Sequence, residues 1–153
     1  MSVEISPDAA SLAQAIATRL TRLLEQIQAD GRRPSVVLTG GTIAIDTYEA
    51  LEAGSVDWSE VDFYWGDERF VPAGHADRND QQARDAFLTR LGVPNQRIHS
   101  MPSHGCDLST AAAADDYAAE LPHDPFDLVL LGVGPDGHIA SLFPGFPQLD
   151  VDD

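Results

Sequence analysis

The chain has 153 residues, the length of one domain at roughly 100–200 residues each, and such a chain can bury roughly 70% of the surface it exposes when unfolded. An apolar share of 43% excludes a disordered tail or a collagen-like rod. Nine basic residues stand against 25 acidic ones, for a net charge of −16; all nine are Arg. With no Lys in the sequence, a Walker-type phosphate lysine and a Schiff-base lysine are excluded within it.

The charge is uneven. Residues 1–33 balance Arg19, Arg22, Arg32 and Arg33 against Glu4, Asp8, Glu25 and Asp30, whereas residues 100–153 carry ten acids and no base. Nucleic acid is therefore not an expected partner, because neutralising phosphates takes clustered Lys or Arg. An anionic membrane surface is disfavoured on the same ground. The plain reading of the acidity is solubility. A small anionic substrate stays open, since one local pocket can outweigh the mean field. Cys106 is the single cysteine and cannot form an internal disulfide, which fits a reducing cytoplasm. No apolar run approaches the ~20 residues of a membrane span, and the N-terminus lacks the basic-then-apolar layout of a signal peptide. The expected location is the cytoplasm. The sequence does not state the oligomeric state.

Ser6-Pro7-Asp8 opens a helix, with Ser6 able to cap, Pro7 suited to the first turn and Asp8 facing the positive end of the dipole. Leu12, Ile16, Leu20, Leu23 and Ile27 then recur at helical spacing, and Gly31 closes the helix. Ser35-Val36-Val37-Leu38 reads as a short buried strand running into Gly40-Gly41. Residues 43–51 read as helix. Residues 61–65 form a second strand, ending at Gly66-Asp67-Glu68-Arg69. A helix over about 79–91 presents Ala83, Phe87 and Leu91 on one face and stops at Gly92. Residues 97–100 suggest a weak third strand. Ser109 can cap an Ala-rich helix that Pro122 ends. Residues 126–131 form the clearest strand, followed by Gly132-Val133-Gly134. Strands alternate with helices, and the two clearest strands are continuous apolar runs. Both features predict an α/β fold with a mostly parallel sheet covered on two faces.

In an open parallel sheet, ligands bind beyond the carboxyl ends of the strands. Three segments meet that rule. Thr39-Gly40-Gly41-Thr42 lies between a strand and a helix, where glycines and a helix N-terminus can cradle a phosphate; the same residues also suit a plain strand-to-helix turn. Asp67-Glu68-Arg69 puts a guanidinium at a strand end, able to grip a phosphate or an oxyanion, although an isolated triplet of this kind is commonly a solvated ion pair. Gly132, Gly134 and Gly137 match G-x-G-x-x-G, but Pro135 breaks the entry into a helix and no later strand brings a ribose-binding acid, so a nicotinamide site is disfavoured. The better reading is a loop presenting Asp136 and His138, with backbone donors around them for an oxyanion and His138 poised for proton transfer. His75, His99, His104 and His123 lack metal-ligand spacing, and His104-x-Cys106 alone is no zinc site; no metal is expected. Without a G-x-S-x-G elbow, Ser141 is a poor nucleophile candidate.

These three segments, in this order, resemble one family, the 6-phosphogluconolactonases. Its pattern runs S-G-G-S-T-P, then D-E-R-x-V-P with a later Asn, then L-G-x-G-x-D-G-H-x-A-S-L-F-P-G. Here the first reads Thr39-Gly40-Gly41-Thr42, with Ile43 and Ala44 where Thr and Pro are usual. The second reads Asp67-Glu68-Arg69-Phe70-Val71-Pro72 with Asn79. The third runs from Leu131 to Gly145 and includes Asp136-Gly137-His138-Ile139-Ala140-Ser141. The resemblance implies a Rossmann-like three-layer sandwich and hydrolysis of 6-phospho-D-glucono-1,5-lactone to 6-phosphogluconate in the oxidative pentose phosphate pathway, with no metal or organic cofactor. It implies His138 as general base, Asp136 or Asp67 orienting His138 or Arg69, and Gly40, Gly41, Thr42, Arg69, Asn79 and Gly137 as substrate-binding positions. Family members continue through further strands and helices with an Arg and a late Lys, so residues 1–153 are expected to be a single, incomplete domain of this kind. Two alternatives stand beside this reading: a sugar-phosphate isomerase or deaminase of the same superfamily, such as glucosamine-6-phosphate deaminase, and a non-catalytic, truncated sugar-phosphate binder.

Overall fold

The computed structural model describes residues 3–151. The first helix, α1 (Ala9–Ala29), begins two residues later than expected. Its cap is Asp8, whose carboxylate accepts the Ser11 N–H at 2.7 Å, while Ser6 lies outside the helix. Gly31 follows with φ +73, the left-handed turn expected after a helix end. Of the periodic residues, Leu20 and Ile27 are buried; Leu12 and Ile16 are only half-buried.

Three parallel strands form one sheet in the order β2 (Asp62–Trp65), β1 (Ser35–Leu38), β3 (Leu128–Val129), with Leu38 beside Trp65 and Val37 beside Val129. α2 (Thr42–Glu49) follows β1, α3 (Asn79–Ala83) follows β2, and α4 (Thr110–Glu120) precedes β3. The sheet is parallel, as the continuous apolar runs predicted. Two strand expectations need correction. Residues 97–100 make no strand, only a single parallel bridge of Ile98 to Phe63, and a 3-10 turn at Asn95–Arg97 precedes it. The apolar run 126–131 gives a ladder at Leu128–Val129 alone, and among the described residues β3 pairs with β1 only. Val129 and Leu131 are exposed. The helix expected over 79–91 is α3 continued by a π-type turn, Arg84–Leu88.

One sheet face, Val36, Leu38, Phe63 and Trp65, meets Leu20 and Leu24 of α1, Tyr48 of α2, and Phe87 in the principal core. Phe87 is the hub, with ring centroids 5.2 Å from Tyr48, 6.1 Å from Trp58 and 5.4 Å from Phe63. On the other face Tyr64 stacks on His99 and meets Phe126. At the outer edge of β2, the buried Tyr117 hydroxyl accepts the Trp65 N–H at 2.9 Å and donates to the Trp65 carbonyl at 3.3 Å. α4 therefore satisfies backbone groups that an edge strand leaves open. Among the described residues, no helix is long and apolar enough to cross a membrane.

Candidate active site

Parallel strands end on the same side, so the turns after β1, β2 and β3 emerge together, and the strand order reverses across β1. Between these turns lies a cleft of about 820 Å³. It is walled on one side by Leu12 and Ile16 of α1 and Ile43 and Ala44 of α2. Gly40, Gly41, Thr42, Asp67, Arg69, Asn79 and His138 all line it. Asp136 and Gly137 stand outside the lining and act on it only through the loop they belong to.

The first wall is the Thr39–Thr42 turn. Tyr48 is 1% exposed, and its hydroxyl donates to the Thr39 carbonyl at 2.8 Å and accepts the Thr39 N–H at 3.0 Å. Burial pushes the Tyr48 hydroxyl far above its ordinary pKa, so it is a fixed neutral clamp on the end of β1. Gly41 then takes φ +102, and no side chain caps α2. The first-turn amides of α2 keep no partner among the described residues, which leaves a helix start suited to an anion.

The second wall carries Asp67, Glu68 and Arg69. The three are not the solvated ion pair that an isolated triplet suggests. The Glu68 side chain is 3% exposed. Its carboxylate accepts the N–H groups of Arg69 at 2.7 Å, Asn79 at 2.7 Å and Asp80 at 2.9 Å, capping α3 from another segment. Arg78 is buried beside it, bonded to Asp80 at 2.7 Å and to the Met101 carbonyl at 2.7 Å, and 3.6 Å from Glu68. Burial pushes the Asp80 carboxyl up, but hydrogen bonds from Arg78 and Ser100 outweigh it, and its pKa lies below the ordinary value. Arg69, by contrast, is exposed, and among the described residues its guanidinium pairs with no carboxylate. Asn79 donates to the Asp67 carbonyl at 3.0 Å.

The third wall is the loop after β3. His138 Nδ1 lies 2.5 Å from Asp136 Oδ1, which leaves Nε2 as the open ring nitrogen. That bond from His138 holds the Asp136 carboxyl below the usual carboxylate range. The imidazole packs on Phe143, centroids 4.6 Å apart, and on Gly134, where a Cβ would fall 2.1 Å from Cε1. Of the two candidate acids, Asp136 is the one in contact with His138. Asp67 instead accepts the Ser141 hydroxyl at 2.6 Å. Of the backbone donors expected near Gly134–Gly137, the amides of Gly134 and Gly137 donate to the carbonyls of His138 and Gly134, both at 2.9 Å.

Sequence reasoning missed Tyr48 and Arg78, the capping contacts of Glu68 and the Ser141–Asp67 bond. The one available signal was Arg78 beside Asn79, a lone cation next to a motif residue. Among the described residues no group of three or more His, Cys, Asp or Glu is placed to hold a metal ion.

The chain is 40% identical to 6-phosphogluconolactonase of Mycobacterium tuberculosis over 97% of its own length and 65% of that protein's. It is 43% identical to that of Streptomyces coelicolor over 89% of its length and 58% of that protein's. It therefore spans 58–65% of the length of these curated relatives. A crystal structure of a 6-phosphogluconolactonase from Shewanella baltica superposes with a TM-score of 0.77 at 31% identity, covering 94% of this chain and 61% of that one. The enzyme from Leishmania guyanensis shares the fold, with a TM-score of 0.82 at 22% identity, over 99% of this chain and 67% of that one. The family model of glucosamine-6-phosphate isomerases/6-phosphogluconolactonase matches residues 7–153, and the chain belongs to that family.

Proposed function

We propose that the chain hydrolyses 6-phospho-D-glucono-1,5-lactone to 6-phosphogluconate. One observation carries the reading: a single cleft holds an imidazole with one nitrogen tied to a carboxylate and the other open, together with an unpaired guanidinium and an uncapped helix start. The phosphate is bound by Arg69 and the Gly41–Thr42 helix start, where charge and backbone donors favour an anion. His138 Nε2 takes a proton from water as the water oxygen attacks the lactone carbonyl carbon. Asp136 fixes the tautomer by accepting the Nδ1 proton and stabilises the imidazolium that forms. The tetrahedral intermediate then collapses. The bond from the carbonyl carbon to the ring oxygen breaks, and the imidazolium returns its proton to that oxygen. The lactone is an activated ester, so this chemistry needs no covalent nucleophile. The curated relatives carry the same activity in their names, which supports the choice of substrate. A cytoplasmic location belongs to this reading and rests on the free, exposed Cys106.

The test is product formation by the purified chain, measured above the lactone's spontaneous hydrolysis, beside ammonia release from glucosamine 6-phosphate. Lactone turnover without ammonia is expected. Ammonia release, or binding of 6-phosphogluconate with no turnover, would replace this reading with a deaminase or a binder.

A further inference from the structure

Residues 132–151 form a nearly self-contained unit. Its backbone bonds close on itself: Gly134 to His138, Gly137 to Gly134, and Ile139 with Leu142 in both directions. Among the described residues, the Ser141 hydroxyl on Asp67 Oδ2 is the one hydrogen bond that joins this unit to the rest of the protein. The residue just before it, Ala140, has φ 52, a left-handed conformation that an L side chain adopts only at a cost. Local strain beside a specific contact points to a functional constraint. On the far side, the Asp67 carbonyl accepts from Asn79, and Asn79 lies against Gly40. The tie thus runs from the loop of His138, through Asp67, to the turn after β1.

We propose that Ser141 is a positioning residue: its hydroxyl latches the His138 loop onto Asp67 and so sets the imidazole relative to the Arg69 and Gly41–Thr42 end of the cleft. Its effect on turnover rests on the lactone-hydrolase reading; the latch itself does not. Ser141 is exposed and outside the core, so removing the hydroxyl loosens the loop without unfolding the protein.

Amide exchange and turnover of the chain test this with Ser141→Ala, Ser141→Thr, Asp67→Ala and the double variant Asp67→Ala with Ser141→Ala. Loss of a charge-assisted bond predicts amides of residues 137–142 exchanging about tenfold faster in Ser141→Ala, with an unmoved melting midpoint. Misplacement of the imidazole predicts kcat lower by about tenfold and KM within about twofold. Ser141→Thr, which keeps a hydroxyl, restores both. The double variant exchanges no faster than either single one, because the two residues act through one bond. Parental exchange in Ser141→Ala, failure of Thr to restore it, or additive single effects would overturn the latch. The predicted exchange pattern in a chain without lactonase turnover would support the latch while overturning the hydrolase reading.

Discussion

The Asn79 carboxamide occupies the space that a side chain at residue 40 would fill: a Cβ on Gly40 would lie 2.0 Å from Asn79 Oδ1. The glycine after β1 and the asparagine opening α3 are therefore one joint made from two segments. Glu68 fixes the Asn79 backbone, and the Asp67 carbonyl fixes its side chain.

Gly40→Ala forces that joint apart. It should break the bond of Asn79 to Asp67 and cost about 1–3 kcal/mol of stability, the usual penalty for overpacking. It should also weaken binding of 6-phosphogluconate. Thermal unfolding and calorimetric titration check this. Parental values in both would mean that Asn79 has another position to adopt at no cost.

His138 depends on a glycine in the same way. In Gly134→Ala the new Cβ would collide with the ring, so the imidazole must leave its place beside Asp136. Turnover should fall by about 10²-fold, since misplacing a reacting group by an ångström costs about that much. Binding of 6-phosphogluconate should change little, because Arg69 and the start of α2 are untouched. Steady-state kinetics beside calorimetry separate the two effects.

Tyr48→Phe removes one oxygen and leaves the Thr39 N–H and carbonyl without their partner. Stranding buried polar groups typically costs about 1–3 kcal/mol each, and the half-buried position of Thr39 points to the lower end. Denaturant unfolding checks the stability. The Thr39–Thr42 turn should exchange its amides faster in the variant.

The parallel sheet was legible because Val36-Val37-Leu38 and Phe63-Tyr64-Trp65 are continuous apolar runs, and such runs mark strands buried on both faces. The cleft followed, because parallel strands bring their following turns to one edge. The limits of β3 were not legible. Leu128 to Leu131 are as apolar as a central strand, yet among the described residues they pair with β1 alone. Ile98 reads as part of a strand, but it meets β2 at one bridge only. Within the site, the Asp136–His138 contact is local, yet the sequence left open whether Asp136 or Asp67 meets His138. The Glu68–Arg78 cluster and the Ser141–Asp67 bond join residues far apart in sequence, and no periodicity reports them. That the amides of Gly134 and Gly137 are taken up by carbonyls of their own loop was not legible either, because a tight turn's internal bonds leave no mark in residue spacing.

Asp127 ties the starts of β1 and β3 together. Its carboxylate accepts from Arg32 at 2.7 Å and from the Ser35 N–H at 3.0 Å. Burial pushes its pKa up, but these bonds more than offset it, and the net shift is downward. A carboxyl with a lowered folded pKa stabilises fully above its unfolded value of about 4 and loses that contribution as pH falls through the folded value. Asp127→Ala should therefore melt lower than the parent at pH 7. The gap should narrow as pH drops below about 4. A gap that widens on acidification would show that Asp127 is not ionised and paired.

On the proposed mechanism His138 is the base for water attack. The direct measurement is the turnover of His138→Asn with 6-phospho-D-glucono-1,5-lactone, corrected for spontaneous hydrolysis and read beside thermal unfolding. General-base catalysis is worth about 10²–10⁴-fold, so turnover should fall by that factor while the melt and 6-phosphogluconate binding stay near parental values. Near-parental turnover in His138→Asn would remove His138 as the base.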